Sequence, residues 1–587
     1  MANPVCGVSH SVLGQSWQWR GQRMGGIGEN RLEDLVDRLL LTRGCPREGL
    51  EAYRNPTIRE FMPDPSLLQD MDRAAERLAL AIYKKESIVI FGDYDVDGAT
   101  SSALMIDLLR QLGVEAAYYI PDRLVEGYGP SVGAMQKLAQ KGAQLIVTVD
   151  CGAQAYEALE EAKALGVDVL VVDHHQCQAE LPKAYAVVNP NRLDEETTGA
   201  AYGHLAAVGV AFLLGAALLR YLRNKGYFLD RPEPRLVSML DLVALGTVAD
   251  VAALHGLNRA FVTQGLKVMA QRLRPGIVAL LDVAAVSNAP TPYDLGFALG
   301  PRINAGGRVG QSDLGVRLLT SSDTLECQKL AKELNTLNQE RRDIEQAVTE
   351  AAQILCEEQR DQPVIVVAGE GWHPGVIGIV AGRLKQKYGC PIIVIGLDEK
   401  GIGKGSGRSI TGVDLGAAVL EAKQAGLLIN GGGHAMAAGL SVHKDKLEAF
   451  TSFLIERLRK AVEKAQMEKA LLVDDVLAAG GINTSLVDAL EVGGPYGAGW
   501  PSPHVVTGPV RVIRYQILKG KHLSAIFVGR EGKSFKGIAF NVMDTPLAHA
   551  VISAGKEKNL WVAGKVQSNE WNGRKDVQFH IEDVAWE

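Results

Sequence analysis

Hydrophobic and polar positions follow two periods along the chain, and their alternation predicts the architecture. Between Asp70 and Tyr83, Met71, Ala74, Ala75, Leu78 and Ile82 recur at helical spacing. Directly after them, Ile88 to Phe91 is an unbroken apolar run that predicts a strand buried on both faces. A helical run from Ala103 to Leu112 follows, then strand signals at 116–120, 145–150 and 167–175, separated by helical stretches at 131–141 and 153–165. Strands alternating with helices at this spacing predict βαβ units and a mainly parallel sheet with helices on both faces. From about Thr324 to Gln359, Leu330, Leu334, Leu337, Ile344, Val348, Ala351 and Leu355 form one stripe that only Arg341 interrupts. That stripe predicts a single helix about 50 Å long. Strand and helix signals resume at 363–369 and 390–397, and a helix rich in Ala, Glu and Lys ends near Lys469. Beyond Val505 the pattern changes to five short strand-like runs divided by turn residues, which fits a small barrel of the OB type.

Length and composition narrow this reading. A chain of 587 residues is too long for one core. A net charge of -6 argues against a protein that coats an acidic polymer with its whole surface, yet leaves room for a local basic track. Residues 505–587 supply one, with twelve Lys and Arg against eight Asp and Glu. There Arg511, Arg514, Lys519, Lys521, Lys533, Lys536, Arg574 and Lys575 are interleaved with Tyr515, Phe535, Phe540 and Trp571. Positive charge with exposed rings suits sequence-tolerant binding of single strands, although strand parity assigns most of these rings to the core. The seven cysteines are widely spread without a CxxC pair, as expected of free thiols in a reducing compartment. The stretch from Leu205 to Leu219 is uncharged but short for a membrane span and reads as a core helix. With no basic-then-apolar leader at the start, a cytoplasmic location is expected.

The candidate chemistry lies where the strands end. After Gly92, three carboxylates alternate at Asp93, Asp95 and Asp97, and Gly98 opens a helix. The run at 145–149 ends in Asp150, and the run at 169–172 ends in Asp173, His174 and His175. Strand tips of a parallel sheet share one edge, so Asp95, Asp97, Asp150 and His174 can converge from distant positions. Crowded carboxylates repel one another unless a cation holds them, which points to a divalent-metal site. Asp250 interrupts an apolar run at 242–254 and also needs a partner. Taken singly, each Asp could be only a helix cap, Asp173 a turn former and each His a hydrogen-bonded core residue.

The motifs DYDVDG at 93–98 and DHH at 173–175, in this order and with a strand-end Asp between them, resemble the DHH phosphoesterase family. The wider set resembles that family's single-strand-specific 5′→3′ DNA exonucleases: FMPDPSLLQDMDRAAERL at 61–78, IPDRLVEGYGPS at 120–131, GTVADV at 246–251, GPRINAGGR at 300–308 and GGGHAMAAG at 431–439. The resemblance implies an N-terminal segment (1–60), an α/β DHH catalytic domain with a mainly parallel sheet (61–323), a connecting helix (324–360), a smaller α/β DHHA1 substrate-binding domain (361–468) and an OB-type nucleic-acid-binding barrel (469–587).

It further implies two Mn²⁺ or Mg²⁺ ions. One would take Asp93 or Asp95 with Asp150, the other Asp97, Asp150, His174 and Asp250, with His175 on the scissile phosphate. Relatives carry a His upstream of the first Asp where Phe91 stands here, which leaves the first ion's outer ligand open. Zinc with Cys151 or Cys177 is the alternative metal. Two glycine-rich turns, 401–409 and 430–439, let backbone N–H groups approach a phosphate. With Ser406, Arg408, Gly432, Gly433 and His434 from these turns, and Arg123, Arg302, Asn304 and Arg308 from the earlier motifs, they would hold the 5′ end and backbone. Single-stranded DNA is the expected partner, with a single-strand-binding protein and a RecQ-type helicase presenting it to a monomeric enzyme in DNA repair and recombination. The alternatives are a DHH enzyme for oligonucleotides, cyclic dinucleotides or pyrophosphate, and an inactive replication scaffold.

Overall fold

The computed structural model describes residues 4–21, 32–123, 125–555, 557–571 and 574–587. Its first sheet is parallel throughout, in the order Ala117–Tyr119, Ile88–Phe91, Leu145–Val149, Asp168–Val172, Ala186–Val188. The three central strands are almost wholly buried, which explains their continuous apolar runs. The chain goes from Ile88–Phe91 to one side and then crosses to the other, so the order reverses between Phe91 and Val149. A crevice opens at such a point, outside the carboxyl ends of the strands.

Helices Met71–Lys84, Val96–Gln111 and Ala207–Asn224 pack together on this sheet. The last is long and apolar enough to cross a membrane, but most of it is buried in the core, as a core helix should be. Glycine at 246 is needed where helix Leu240–Ala249 crosses Val96–Gln111: a Cβ there would lie 2.3 Å from Thr100 Oγ1 and 3.1 Å from Asp97 Oδ1.

Helix Thr324–Glu358 has 35 residues, and its cap Asp323 accepts from the N–H groups of Leu325 and Glu326. It packs on helices of the first lobe and on Pro374–Tyr388 of the second. The stripe differs from the expected one at two places. Ala351 is exposed while Ala352 and Cys356 are buried, because a seven-residue repeat drifts by about 20° per heptad on a straight helix. Arg341 lies in the buried stripe instead of breaking it: it donates to Glu345 Oε2 (2.8 Å) and Asn338 Oδ1 (3.1 Å).

The second sheet runs Asn430–His434, Ala437–His443, Ile402–Arg408, Ile392–Leu397, Ile365–Glu370. Of the two segments expected as glycine-rich turns, 401–409 is therefore mostly strand, and 430–439 is a hairpin whose turn is Ala435 and Met436. In Ile402–Arg408, Gly403, Gly405 and Gly407 alternate on one face, where Cβ atoms would fall 2.6–2.7 Å from Ile395, Leu440 and Leu415. Lys404, Ser406 and Arg408 take the other face.

The C-terminal lobe closes as a five-stranded barrel of Val505–Leu518, His522–Gly529, Ser534–Ala539, Arg574–Trp586 and Leu560–Trp571, with Leu560–Trp571 returning to Val505–Leu518. Of the rings assigned to its core by parity, Phe535 is buried, whereas Tyr515 and Phe540 are exposed; a bulge between Val512 and Arg514 breaks the parity before Tyr515. The side chains of Trp571, Arg574 and Lys575 lie outside the described residues. The N-terminal stretch is stitched into this lobe. Ser16–Trp19 pairs with Ala470–Val473, and buried Trp17 donates to Asp583 Oδ2 at 3.0 Å.

Candidate metal centre and phosphate cleft

Three strand tips and one helix end build the centre. Asp93 and Asp95 follow Ile88–Phe91; Asp95 caps helix Val96–Gln111, accepting from Gly98 N at 3.0 Å, and Asp97 lies in its first turn. Asp150 follows Leu145–Val149 in a left-handed conformation, φ 59°, which aims it into the crevice. Its carbonyl accepts from the Tyr128 hydroxyl at 2.8 Å. His174 and His175 follow Asp168–Val172, and Asp250 ends helix Leu240–Ala249.

Ligand atoms within 4.8 Å of one another group these residues as Asp93, Asp95 and Asp150; Asp97, His174 and Asp250; and Asp150, His174 and His175. His174 joins the groups, with Nε2 3.4 Å from Asp150 Oδ1 and 3.8 Å from Asp97 Oδ2, and Nδ1 3.9 Å from Asp250 Oδ2.

Electrostatics show what the centre is suited to hold. Burial, then the charge of Asp95, raises Asp93 to about 8; burial, then Asp97, does the same to Asp250. Asp150 is pushed well above the usual carboxylate range by burial and by four neighbouring aspartates. Asp97 is also raised by burial, although His174 opposes the shift and both its oxygens accept backbone N–H groups, from Ala207 (2.7 Å) and Val208 (2.9 Å). Asp93 Oδ1 and His174 Nε2 are buried without a hydrogen-bond partner. Orphaned ligand atoms among mutually repelling carboxylates fit divalent cations. The donor set is oxygen-rich with one or two imidazoles, which suits Mn²⁺ or Mg²⁺. Cys151 faces the carbonyls of Val149 and Phe91, and Cys177 faces His175 O, so neither thiol belongs to a ligand group. Phe91 is buried and stacked on Tyr119, offering no outer ligand.

Asp173, the first residue of the DHH motif and taken singly a possible turn former, orients the second histidine. Its Oδ1 accepts from the N–H groups of His174 and His175, and Oδ2 accepts from Ala153 N. Burial alone would raise Asp173 and lower His175, but their mutual hydrogen bond and charges override it, taking Asp173 down to about 2 and His175 up to about 9.

Opposite the carboxylates stand three arginines from three segments. Arg123 lies 5.1 Å from the Tyr94 ring, Arg308 Nη1 donates to Gly375 O at 2.9 Å, and Arg408 Nη1 donates to Ser406 Oγ at 2.9 Å. Burial disfavours the charge on all three, and Arg308 and Arg123 add repulsion at Arg408. Asp93 offsets this at Arg123 and Asp95 at Arg308, so these two arginines feel the charge of the carboxylates. Among the described residues none of the three is salt-bridged to a carboxylate. Uncompensated, partly buried guanidinium groups fit an anion with several oxygens.

Three family profiles match the chain: the DHH family, N-terminal domain, over residues 87–247; the DHHA1 domain over 361–460; and the RecJ OB domain over 473–583. A protein of Dickeya dadantii (strain 3937) named single-stranded-DNA-specific exonuclease RecJ is 40% identical over 566 residues, which cover 94% of this chain and 96% of that one. The chain belongs to the RecJ family. The RecJ of Escherichia coli (strain K12) is 37% identical over 94% of this chain and 96% of its own. The crystal structure of RecJ from Thermus thermophilus in complex with Mn²⁺ superposes with a TM-score of 0.76 at 28% identity, covering 94% of this chain and 76% of that one. A second structure, of exonuclease RecJ bound to manganese, matches at 32% identity and a TM-score of 0.58 over 68% of this chain and 98% of its own.

Of the residues expected to bind substrate, this RecJ-family fold does not bring Arg302 to the other arginines. Arg302 donates to Asn335 Oδ1 (3.0 Å) and Ala298 O (2.6 Å), beside Arg342. Arg302 and Arg308 are six residues apart, hence about 240° apart around their helix. Asn304 has a buried Oδ1 without a partner. His434 and Arg408 are both paired with Ala437, on either side of it, so the hairpin containing Gly432 and Gly433 ends level with Arg408.

Proposed function

We propose that the chain is a single-stranded-DNA-specific exonuclease that removes nucleotides in the 5′→3′ direction by hydrolysing phosphodiester bonds at a two-metal centre. The observation that carries this reading is the pair of ligand groups joined by Asp150 and His174, near three mutually repelling arginines that among the described residues make no salt bridge. Asp93, Asp95 and Asp150 would hold one ion, and Asp97, His174 and Asp250 the other. Two Mn²⁺ or Mg²⁺ ions held there would supply activation of a water and neutralisation of the charge that develops in an in-line displacement.

The chain's own groups do the rest. Arg123, Arg308 and Arg408, with the Ser406 hydroxyl, take the terminal 5′ phosphate, a dianion suited to forked guanidinium groups. Distance from this anchor to the carboxylates then sets which bond is cut. His175, protonated at neutral pH and held by Asp173, donates to a non-bridging oxygen of the scissile phosphate. Exposed Arg511, Arg514, Lys519, Lys521, Lys533 and Lys536 on the barrel track the rest of the strand. That barrel distinguishes the reading from hydrolases of dinucleotides or pyrophosphate, which have no long strand to guide.

Family resemblance extends the proposal to a monomer acting in repair and recombination, with a single-strand-binding protein and a RecQ-type helicase presenting the strand. The seven free cysteines support a cytoplasmic location. Purified protein should release mononucleotides from single-stranded DNA when Mn²⁺ is added, and Asp150→Ala should not. Equal activity in the two proteins would refute the assignment.

A further inference from the structure

Residues Asp294–Leu299 are wound as a π-helix, between a turn in which Asp294 Oδ2 accepts from Thr291 N and Oγ1 and the helix Gly300–Val309. This winding is rare and frequently marks a functional site. It turns Leu295 and Leu299 into the core and sends Tyr293 and Phe297 outward, 68% and 66% exposed. The two rings are stacked, with centroids 4.8 Å apart and planes 26° from parallel. Two large rings left in water side by side forgo burial that aromatic residues usually obtain, so the pair calls for a ligand.

Its place in the fold indicates which ligand. A Cβ on Gly296 would lie 3.5 Å from Val248 Cγ1, and one on Gly300 3.4 Å from Ala249 Cβ and 3.7 Å from Val96 Cγ2. The π-helix thus rests on the residues just before Asp250 and just before Asp97. At its other end Arg302 is tied to Ala298 O, the residue after Phe297. Burial and the neighbouring charge of Arg342 both disfavour the Arg302 cation, and among the described residues neither arginine is salt-bridged to a carboxylate. Stacked rings on the segment that leads into Arg302 offer complements to an unpaired base and to its phosphate. In a duplex the faces of the bases are already covered.

We propose that Tyr293 and Phe297 form a base-stacking platform that receives the single strand on the Asp250 side of the metal centre, with Arg302 and Arg342 meeting its phosphates. The proposal rests on the nuclease reading above and adds a contact by which single strands are selected.

The test is equilibrium binding by the full chain, in EDTA so that nothing is hydrolysed. A 5′-phosphorylated oligothymidylate is compared with the same strand carrying abasic sites, moved one position at a time. A single stacked base accounts for about tenfold in affinity. The wild-type protein should therefore lose about that factor when the abasic site reaches the platform, and Y293A/F297A should bind both strands equally and weakly. Y293F/F297Y, which keeps both rings, should restore the preference. Because both rings are largely exposed, the thermal midpoint of Y293A/F297A should stay near that of the wild type.

Retained preference in Y293A/F297A, or an equal loss for base-bearing and abasic strands, overturns the platform. If the wild-type protein neither binds nor degrades any single strand, the nuclease reading fails first and the platform with it.

Discussion

His175 Nδ1 lies 2.7 Å from Asp173 Oδ1, and that same oxygen also accepts the backbone N–H groups of His174 and His175. The first residue of the DHH motif therefore holds the ring of the third instead of joining a ligand group. Asp173→Asn keeps the shape but removes the charge that sustains a protonated His175. Turnover should fall about 10- to 100-fold, as when a supporting hydrogen bond behind a functional histidine is lost, while Mn²⁺ affinity by calorimetry changes little. The alkaline limb of the pH–rate profile should move to lower pH, since His175 would no longer be raised to about 9. A Mn²⁺ affinity that fell as far as turnover would place Asp173 among the ligands instead.

The raised carboxylates make metal binding and pH interdependent. Asp93 and Asp250, both near 8, bind protons in the metal-free folded state that they do not bind when unfolded. Stability of the metal-free protein should therefore fall as pH rises from about 4 to about 8, because the folded state binds more protons across that window. Bound Mn²⁺ replaces those protons and should flatten the slope. Thermal unfolding at pH 5 and pH 8, with and without Mn²⁺, measures this, and a metal-free protein that grows more stable towards pH 8 would contradict it.

Arg408 joins the second lobe to the phosphate cleft. A charge-assisted hydrogen bond contributes about 1.5–3 kcal/mol, so Arg408→Ala should lose roughly 10- to 100-fold of any preference for a 5′-phosphorylated over a 5′-hydroxyl strand. Competition between the two strands reads this directly. An unchanged ratio would remove Arg408 from the 5′ anchor.

Arg259 latches the C-terminal lobe to the catalytic body. It is fully buried and has no carboxylate partner among the described residues. It donates to the carbonyls of Tyr53 (3.0 Å), Gly493 (3.0 Å), Gly494 and Pro495 (3.4 Å), with the Trp500 ring 4.9 Å away. Removing it takes a donor from four carbonyls, three of them partly buried, although Gly493 O keeps the Trp500 Nε1 donor at 2.9 Å; each carbonyl left buried without a partner costs about 1–3 kcal/mol. Arg259→Met should lower the unfolding midpoint and expose the segment 493–500 to proteolysis before the rest of the chain. Unaltered proteolysis would show that the apolar contacts around Trp500 suffice.

Much of the centre was legible because the carboxylates sit where a buried apolar run stops, and a parallel sheet gathers such ends. Asp93, Asp95, Asp97, Asp150 and His174 follow from that rule. The donors to Asp97 from Ala207 and Val208 were not legible, since a backbone N–H leaves no mark in composition. Nor was Asp173, whose role depends on where the His175 ring turns, or Tyr128, whose hydroxyl reaches the backbone of Asp150. Glycine clustering suggested turns at 401–409 and 430–439, although in the first the alternation of glycine with Lys404, Ser406 and Arg408 already carried a strand's period. Arg302 shares a motif with Arg308 but not a helix face, and a motif read as a string has no faces.

A 5′→3′ exonuclease specific for single strands is defined by which end of which strand it consumes. A single strand labelled at its 5′ end and the same strand labelled at its 3′ end, each incubated with protein and Mn²⁺ beside a duplex control, decide it. The 5′ label should be released at once as mononucleotide, the 3′-labelled strand should shorten progressively, and the duplex should stay intact. Early release of the 3′ label, or comparable digestion of the duplex, would contradict it.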